Sequence, residues 1–169
     1  KEKWYVRAQV KRTNNTNEND LTSIVGTNTN TIVTNRDLKA TYVNNNIEWH
    51  KRQNDKHTFS SIFNYVFDKN NNTNFWETQN DAFNGLIPII TPQNLYLINQ
   101  LKNTKEQNID VVFKHFWEIN NNNHIYTTLG NKFLNEDFNT EDSQTLDDGT
   151  INNFSNNGFG NNLNFKLND

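Results

Sequence analysis

The chain has 169 residues, a formal net charge of -3 and no cysteine. Those totals fit one domain and exclude disulfides, thiolate catalysis, zinc ribbons and iron–sulfur clusters. With 16 Lys+Arg against 19 Asp+Glu, neither a basic excess nor a basic stripe is visible, so no nucleic-acid partner is expected.

No stretch approaches the ~18 apolar residues of a spanning helix, and no membrane span is expected. No signal peptide is present. A chain that starts at Lys1 and contains no methionine reads as a mature or trimmed form. Asparagine dominates, at 37 residues, as the codons of an AT-rich genome favour. Asparagine suits turns, where it tolerates left-handed backbone and bonds its own main chain. Twelve Phe, five Tyr and four Trp supply enough apolar surface for a core.

In chain order, "KWYVRAQVK" (3–11) alternates: Trp4, Val6, Ala8 and Val10 face one way, Tyr5, Arg7, Gln9 and Lys11 the other. That is a half-buried strand. "RTNNTNEND" (12–20) reads as a polar loop, and "LTSIVG" and "TIVT" as short strands around a "TNTN" turn. Residues 37–51 predict a hairpin turning at Asn44, Asn45 and Asn46. "HKRQNDKH" (50–57) is the one basic cluster, read as a solvated loop.

In "TFSSIFNYVFD" (58–68), Phe59, Ile62, Phe63, Val66 and Phe67 repeat at i, i+3, i+4, i+7 and i+8. This predicts an amphipathic helix, although its residues are weak helix formers. "NNNTN" (70–74) reads as a loop, and "LIPII" (86–90) as a short edge strand. "TPQNLYLINQLKN" (91–103) predicts a helix, with Thr91 as N-cap and Pro92 at its first position.

"NIDVVFKHFWEI" (108–119) is apolar on both sides and predicts a covered central strand. "HIYTTLG" returns antiparallel across a turn at residues 120–123. Residues 131–149, with Glu136, Asp137, Glu141, Asp142, Asp147 and Asp148, predict a mobile acidic loop. "NNLNFKLND" closes the chain as a last strand. The expected fold is therefore mainly β (α+β): an antiparallel sandwich or barrel, one domain over 1–169, with one or two short packed helices.

Catalytic constellations are missing. The four histidines form no metal-ligand spacing, and His115 and His124 fall too far apart across their turn to share an ion. Asp110 and Glu118 lie roughly 26 Å apart along one strand, too far for joint acid–base work. No P-loop, nucleophile elbow or calcium-loop register occurs. No catalytic residue, metal or cofactor is expected.

Exposed aromatics beside many amides suggest a sugar platform, with Trp49, Trp76 and Tyr96 as candidate binding residues and Tyr5 and Trp117 as further rings. Against that, Trp4, Trp49 and Trp117 hold core-like positions. "IPIITPQNLYLINQLKN" followed by "IDVVFKHFWEINNNNHIYTTL" runs strand, Pro-led helix, long hairpin. Over these residues the chain resembles the haemolysin-coregulated tube proteins of type VI secretion and related phage tail-tube subunits. The resemblance implies ring assembly and no catalysis.

The function expected from the sequence is a non-enzymatic structural or binding module of an AT-rich bacterium or its phage, at a cell surface, outside the cytoplasm or in a virion. Its partners are proteins or further copies of itself. The alternatives are a tube subunit, a carbohydrate-binding module that takes glycans, and a small hydrolase using His57 or His115.

Overall fold

A computed structural model describes residues 1–25, 28–79, 89–154 and 162–168. Almost all of them are antiparallel β-sheet. Five long strands run up and down as a meander: β1 (Glu2–Val25), β2 (Asn28–Arg52), β3 (His57–Thr78), β4 (Tyr96–Asn120) and β5 (Asn123–Thr145). Two short strands, β6 (Ile151–Asn153) and β7 (Asn162–Asn168), both pair with β5. The sheet order is β1-β2-β3-β4-β5-β6, and β1 pairs only with β2 among the described residues, so the sheet is open.

The β-rich expectation holds, but among the described residues the expected helices are absent, and one open sheet stands in place of the expected sandwich or closed barrel. Residues 58–68 lie inside β3 and pair with β2 and β4 along their whole length. There the odd residues Phe59, Phe63, Tyr65 and Phe67 share one face, while Ile62 and Val66 lie on the other. The i, i+3, i+4 spacing arose from superposing two period-2 faces. The second expected helix is also strand from Tyr96 onward, with Thr91–Pro92 in an irregular lead-in. This removes the Pro-led helix that carried the tube-protein resemblance.

The asparagine runs need the same correction. Asn44, Asn45 and Asn46 sit in the middle of β2, residues 12–20 continue β1, and residues 70–74 continue β3. A backbone ladder on both flanks outweighs asparagine's weak strand preference. Side-chain bonds assist, with Asn46 donating to Asn64 across the strands at 2.8 Å and Asn74 to Gln100 at 3.0 Å.

The expected acidic loop is strand up to Thr145; only residues 147–149 make a turn, where Gly149 has φ +82°. The turn after β4 lies where expected. Asn120 Oδ1 accepts from the Asn122 backbone N–H and the Asn123 amide, each at 3.0 Å. Of the expected strand at 86–90, residues 86–88 lie outside the described residues, and Ile89 and Ile90 are not strand.

The two ends of the sheet differ. At one end the connections are brief, at residues 53–56 and 121–122. At the other, residues 26–27 separate β1 from β2, and residues 79–95 separate β3 from β4. The buried residues gather at this second end, where Tyr96, Ile98, Phe154, Thr78 and Gln144 are shielded. Gln144 clasps residue 90 with both amide atoms: its Oε1 accepts from the Ile90 N–H at 2.7 Å, and its Nε2 donates to the Ile90 carbonyl at 3.0 Å. Thr78, Tyr96, Ile98 and Gln144 lie on one face of the sheet.

Elsewhere there is little interior. The accessible surface is 11684 Å², against about 8,700 Å² for a compact protein of this mass.

Candidate functional site

Residues directly opposed across antiparallel strands point to the same face, so the register sorts every side chain. One row reads Trp4, Trp49, Ser61, Phe113, Leu129 from β1 to β5. The next rows read Val6, Ile47, Phe63, Val111, Asn131, then Ala8, Asn45, Tyr65, Ile109, Phe133, then Val10, Val43, Phe67, Gln107, Asn135. Below the Trp4 row, Phe59 pairs with His115, and His57 with Trp117 and Trp117 with Ile125.

These rows form one continuous apolar band, interrupted by a few small or amide side chains. Its height along the strands is roughly 20 Å on β1 (Trp4 to Val10) and roughly 27 Å on β4 (Ile109 to Trp117). It lies obliquely, reaching two rows lower on β4 and β5 than on β1. Val6, Val10 and Leu129 are more than 60 % exposed. Over four strand spacings that is roughly 400–500 Å² in projection, as large as the largest apolar patch a water-facing surface usually carries, a size that often marks a functional surface.

The opposite face at the same level is polar. One of its rows reads Arg7, Asn46, Asn64, Asp110, Lys132, and another Lys11, Tyr42, Asp68, Glu106, Glu136. Ile62, Val66, Val112, Leu134 and the rings of Tyr5, Phe116 and Tyr126 are scattered among these groups. The short strand β7 does not continue the band, since Phe165 and Leu167 pair with Glu136 and Leu134 on the polar face.

Aromatic rings mark the edge of the band nearest the brief turns. Trp4 and Trp49 lie 6.2 Å apart, and both indole N–H groups donate to Glu2 Oε1, at 3.0 and 2.8 Å. Those two bonds favour the carboxylate and hold Glu2 below the usual carboxyl range. Further along this edge, His57 stacks between Trp117 (5.6 Å) and His115 (5.3 Å), and His115 stacks on Phe59 at 4.4 Å. His57 Nδ1 and His115 Nε2 are 3.1 Å apart. Among the described residues no group of three or more possible metal ligands forms.

Trp49 therefore belongs to the band. Trp76 and Tyr96 lie on the polar face, opposite Ile98 and Thr78. Trp76 is roughly 50 Å along β3 from the level of Trp49, so the three expected binding residues do not share one surface. Tyr5 is on the polar face and Trp117 in the band. Sequence reasoning missed Phe63, Phe67, Val111 and Leu129 as surface residues, because only cross-strand register shows that they align.

The chain matches no protein-family model and no curated protein sequence. Among the described residues no helix is long and apolar enough to cross a membrane.

Proposed function

We propose that β1–β5 form a section of a transmembrane β-barrel wall, with the apolar band against lipid and the polar face lining an aqueous interior. The carrying observation is the band itself: apolar side chains gathered on one face and in register across five strands, alternating with polar ones on β1 and more loosely on β3 and β4, where Ile62, Val66, Val112 and Phe116 lie on the other face. A barrel strand crosses the hydrocarbon with about 9–11 tilted residues, outward-facing apolar residues form a band about 25 Å tall, and aromatic girdles flank it. Residues 59–67, 109–117 and 125–133 each match that length. Trp4, Trp49 and Trp117 suit the girdle, their indole N–H groups being able to reach water or a polar partner. The oblique course of the band suits strands tilted against the membrane normal.

The two ends of the sheet fit the same reading. Barrels of this kind keep short turns on one membrane side and long loops on the other. Here the turns at residues 53–56 and 121–122 lie at the Trp edge, and the strands run on past the opposite edge as long extensions, joined there through residues 26–27 and 79–95. β1 alone continues from Arg12 to Val25, roughly 45 Å at strand rise. Backbone edges are not tolerated in hydrocarbon, so the reading requires two edges left unpaired among the described residues, that of β1 and that of β5 over residues 123–132, to pair with further strands of the wall. The expectation of no membrane-spanning helix stands among the described residues; the wall reading concerns strands, which that expectation did not consider.

A second reading is a water-soluble assembly module, in which self-association covers the band. The free edge of β1 favours it, since an exposed strand edge is a template for pairing. Flotation with phosphatidylcholine vesicles separates the two. The wall reading predicts that the protein floats with the vesicles and gains resistance of residues 1–11 and 109–133 to protease. Sedimentation as a lipid-free particle, with vesicles present, supports the assembly reading instead.

A further inference from the structure

Directly beyond the upper edge of the band, on the same face, the next row reads Arg12, Thr41, Lys69, Lys105, Asp137. Lys39 follows one row further on, beside Asn14, Asn71 and Asn103. Four cations from four different strands thus gather on one face, although no two of them are near neighbours in sequence. Two grooves run along this strip and share Lys69 and Asn71. One also takes in Arg12, Lys39 and Thr41, the other Asn103, Lys105 and Asp137.

Lys69 and Lys105 are direct cross-strand partners. Like charges in that position repel and weaken the sheet, which is tolerable where an anion lies between them. Two carboxylates lie within the strip: Asp37 pairs with Lys39 at 3.3 Å and accepts from Thr16, and Asp137 is the direct cross-strand partner of Lys105, which leaves Arg12 and Lys69 as the cations with no carboxylate directly opposite in register. Asp68 and Glu106, the acidic neighbours of Lys69 and Lys105 in sequence, point to the opposite face.

We propose that Arg12, Lys69 and Lys105 bind the phosphate of anionic lipid headgroups in the leaflet at the upper edge of the band. The inference rests on the wall reading, which puts lipid against this face. Given that placement, the chemistry is specific. Lys and Arg stems can lie along the top of the apolar band while their heads reach the headgroup layer, where charge-assisted bonds to phosphate oxygens form. Thr41, Asn71 and Asn103 add neutral donors in the same grooves. From Arg12 to Lys105 the strip spans roughly 14 Å, three strand spacings, enough for more than one phosphate.

The test is vesicle flotation of the full chain, using phosphatidylcholine alone and phosphatidylcholine mixed with phosphatidylglycerol, at fixed ionic strength. The expected result is tighter association with the mixed vesicles. Arg12→Gln/Lys69→Gln/Lys105→Gln should lose that preference, about a hundredfold for three groups, and keep its binding to neutral vesicles. Lys114→Gln/Lys132→Gln, which removes charge from the polar face, should keep the preference, as should Lys69→Arg/Lys105→Arg. Inorganic phosphate at constant ionic strength should not release the protein.

Equal binding to both vesicle types, an unchanged preference in the triple variant, or release by inorganic phosphate would overturn the headgroup site. Failure to float with either vesicle type is a different outcome, and it overturns the wall reading beneath it.

Discussion

At the scale of single residues, the Trp edge is organised by a carboxylate. Glu2 accepts from two indoles at once, and those bonds depress its proton affinity. A depressed carboxyl contributes order that is present above its unfolded value and is lost as pH falls through its folded value. Acidification below the usual carboxyl range should therefore release the Trp4–Trp49 pair, read as a shift in tryptophan emission. Glu2→Gln should remove that transition while leaving the sheet's circular dichroism unchanged. A second residue-scale test lies at the β4–β5 turn. Asn120 closes it with two bonds, so Asn120→Ala should lower stability by about 1 kcal/mol in denaturant unfolding, whereas Asn-Gly at residues 121–122 should leave the fold intact.

At the scale of strands, the two faces should respond oppositely to charge. Val111→Arg or Phe63→Arg puts a cation in the middle of the band and should destabilise the lipid-embedded protein by about 2–4 kcal/mol. Asn64→Arg, one residue along β3 but on the polar face, should be tolerated. Urea unfolding in vesicles measures both. Equal penalties on the two faces would contradict the assignment.

This scale also separates what was legible in the sequence from what was not. The alternation of Trp4, Val6, Ala8 and Val10 is plain within β1, and the turn after residue 120 is marked by four asparagines. β3 was illegible because Ile62 and Val66 fill positions on the polar face and counterfeit a helical stripe. Asn44, Asn45 and Asn46 resembled a turn because turn preference is local, whereas their place in β2 is set by β1 and β3 on either side. The band and the basic strip share one difficulty. Trp4, Trp49 and Phe113, or Arg12, Lys69 and Lys105, become neighbours only once the register between strands is known. The sequence showed an unremarkable scatter of cations, and the sheet collects them at one height.

At the scale of the whole molecule, a broad apolar band lies on one face of the sheet, and the described residues form little interior to hide it. Three hydrophobic side chains are buried among the described residues, and many of the long strands' other apolar groups lie together in one band. The four tryptophans report directly on whether lipid covers it. Three stand in the band, Trp4, Trp49 and Trp117, and Trp76 lies on the other face, far along β3. The measurement to make is tryptophan quenching by lipids brominated at different acyl depths, on single-tryptophan variants reconstituted in vesicles. The account predicts quenching of Trp4, Trp49 and Trp117, strongest with bromine near the headgroups, and none of Trp76. Equal quenching of all four, or none of any, would contradict it.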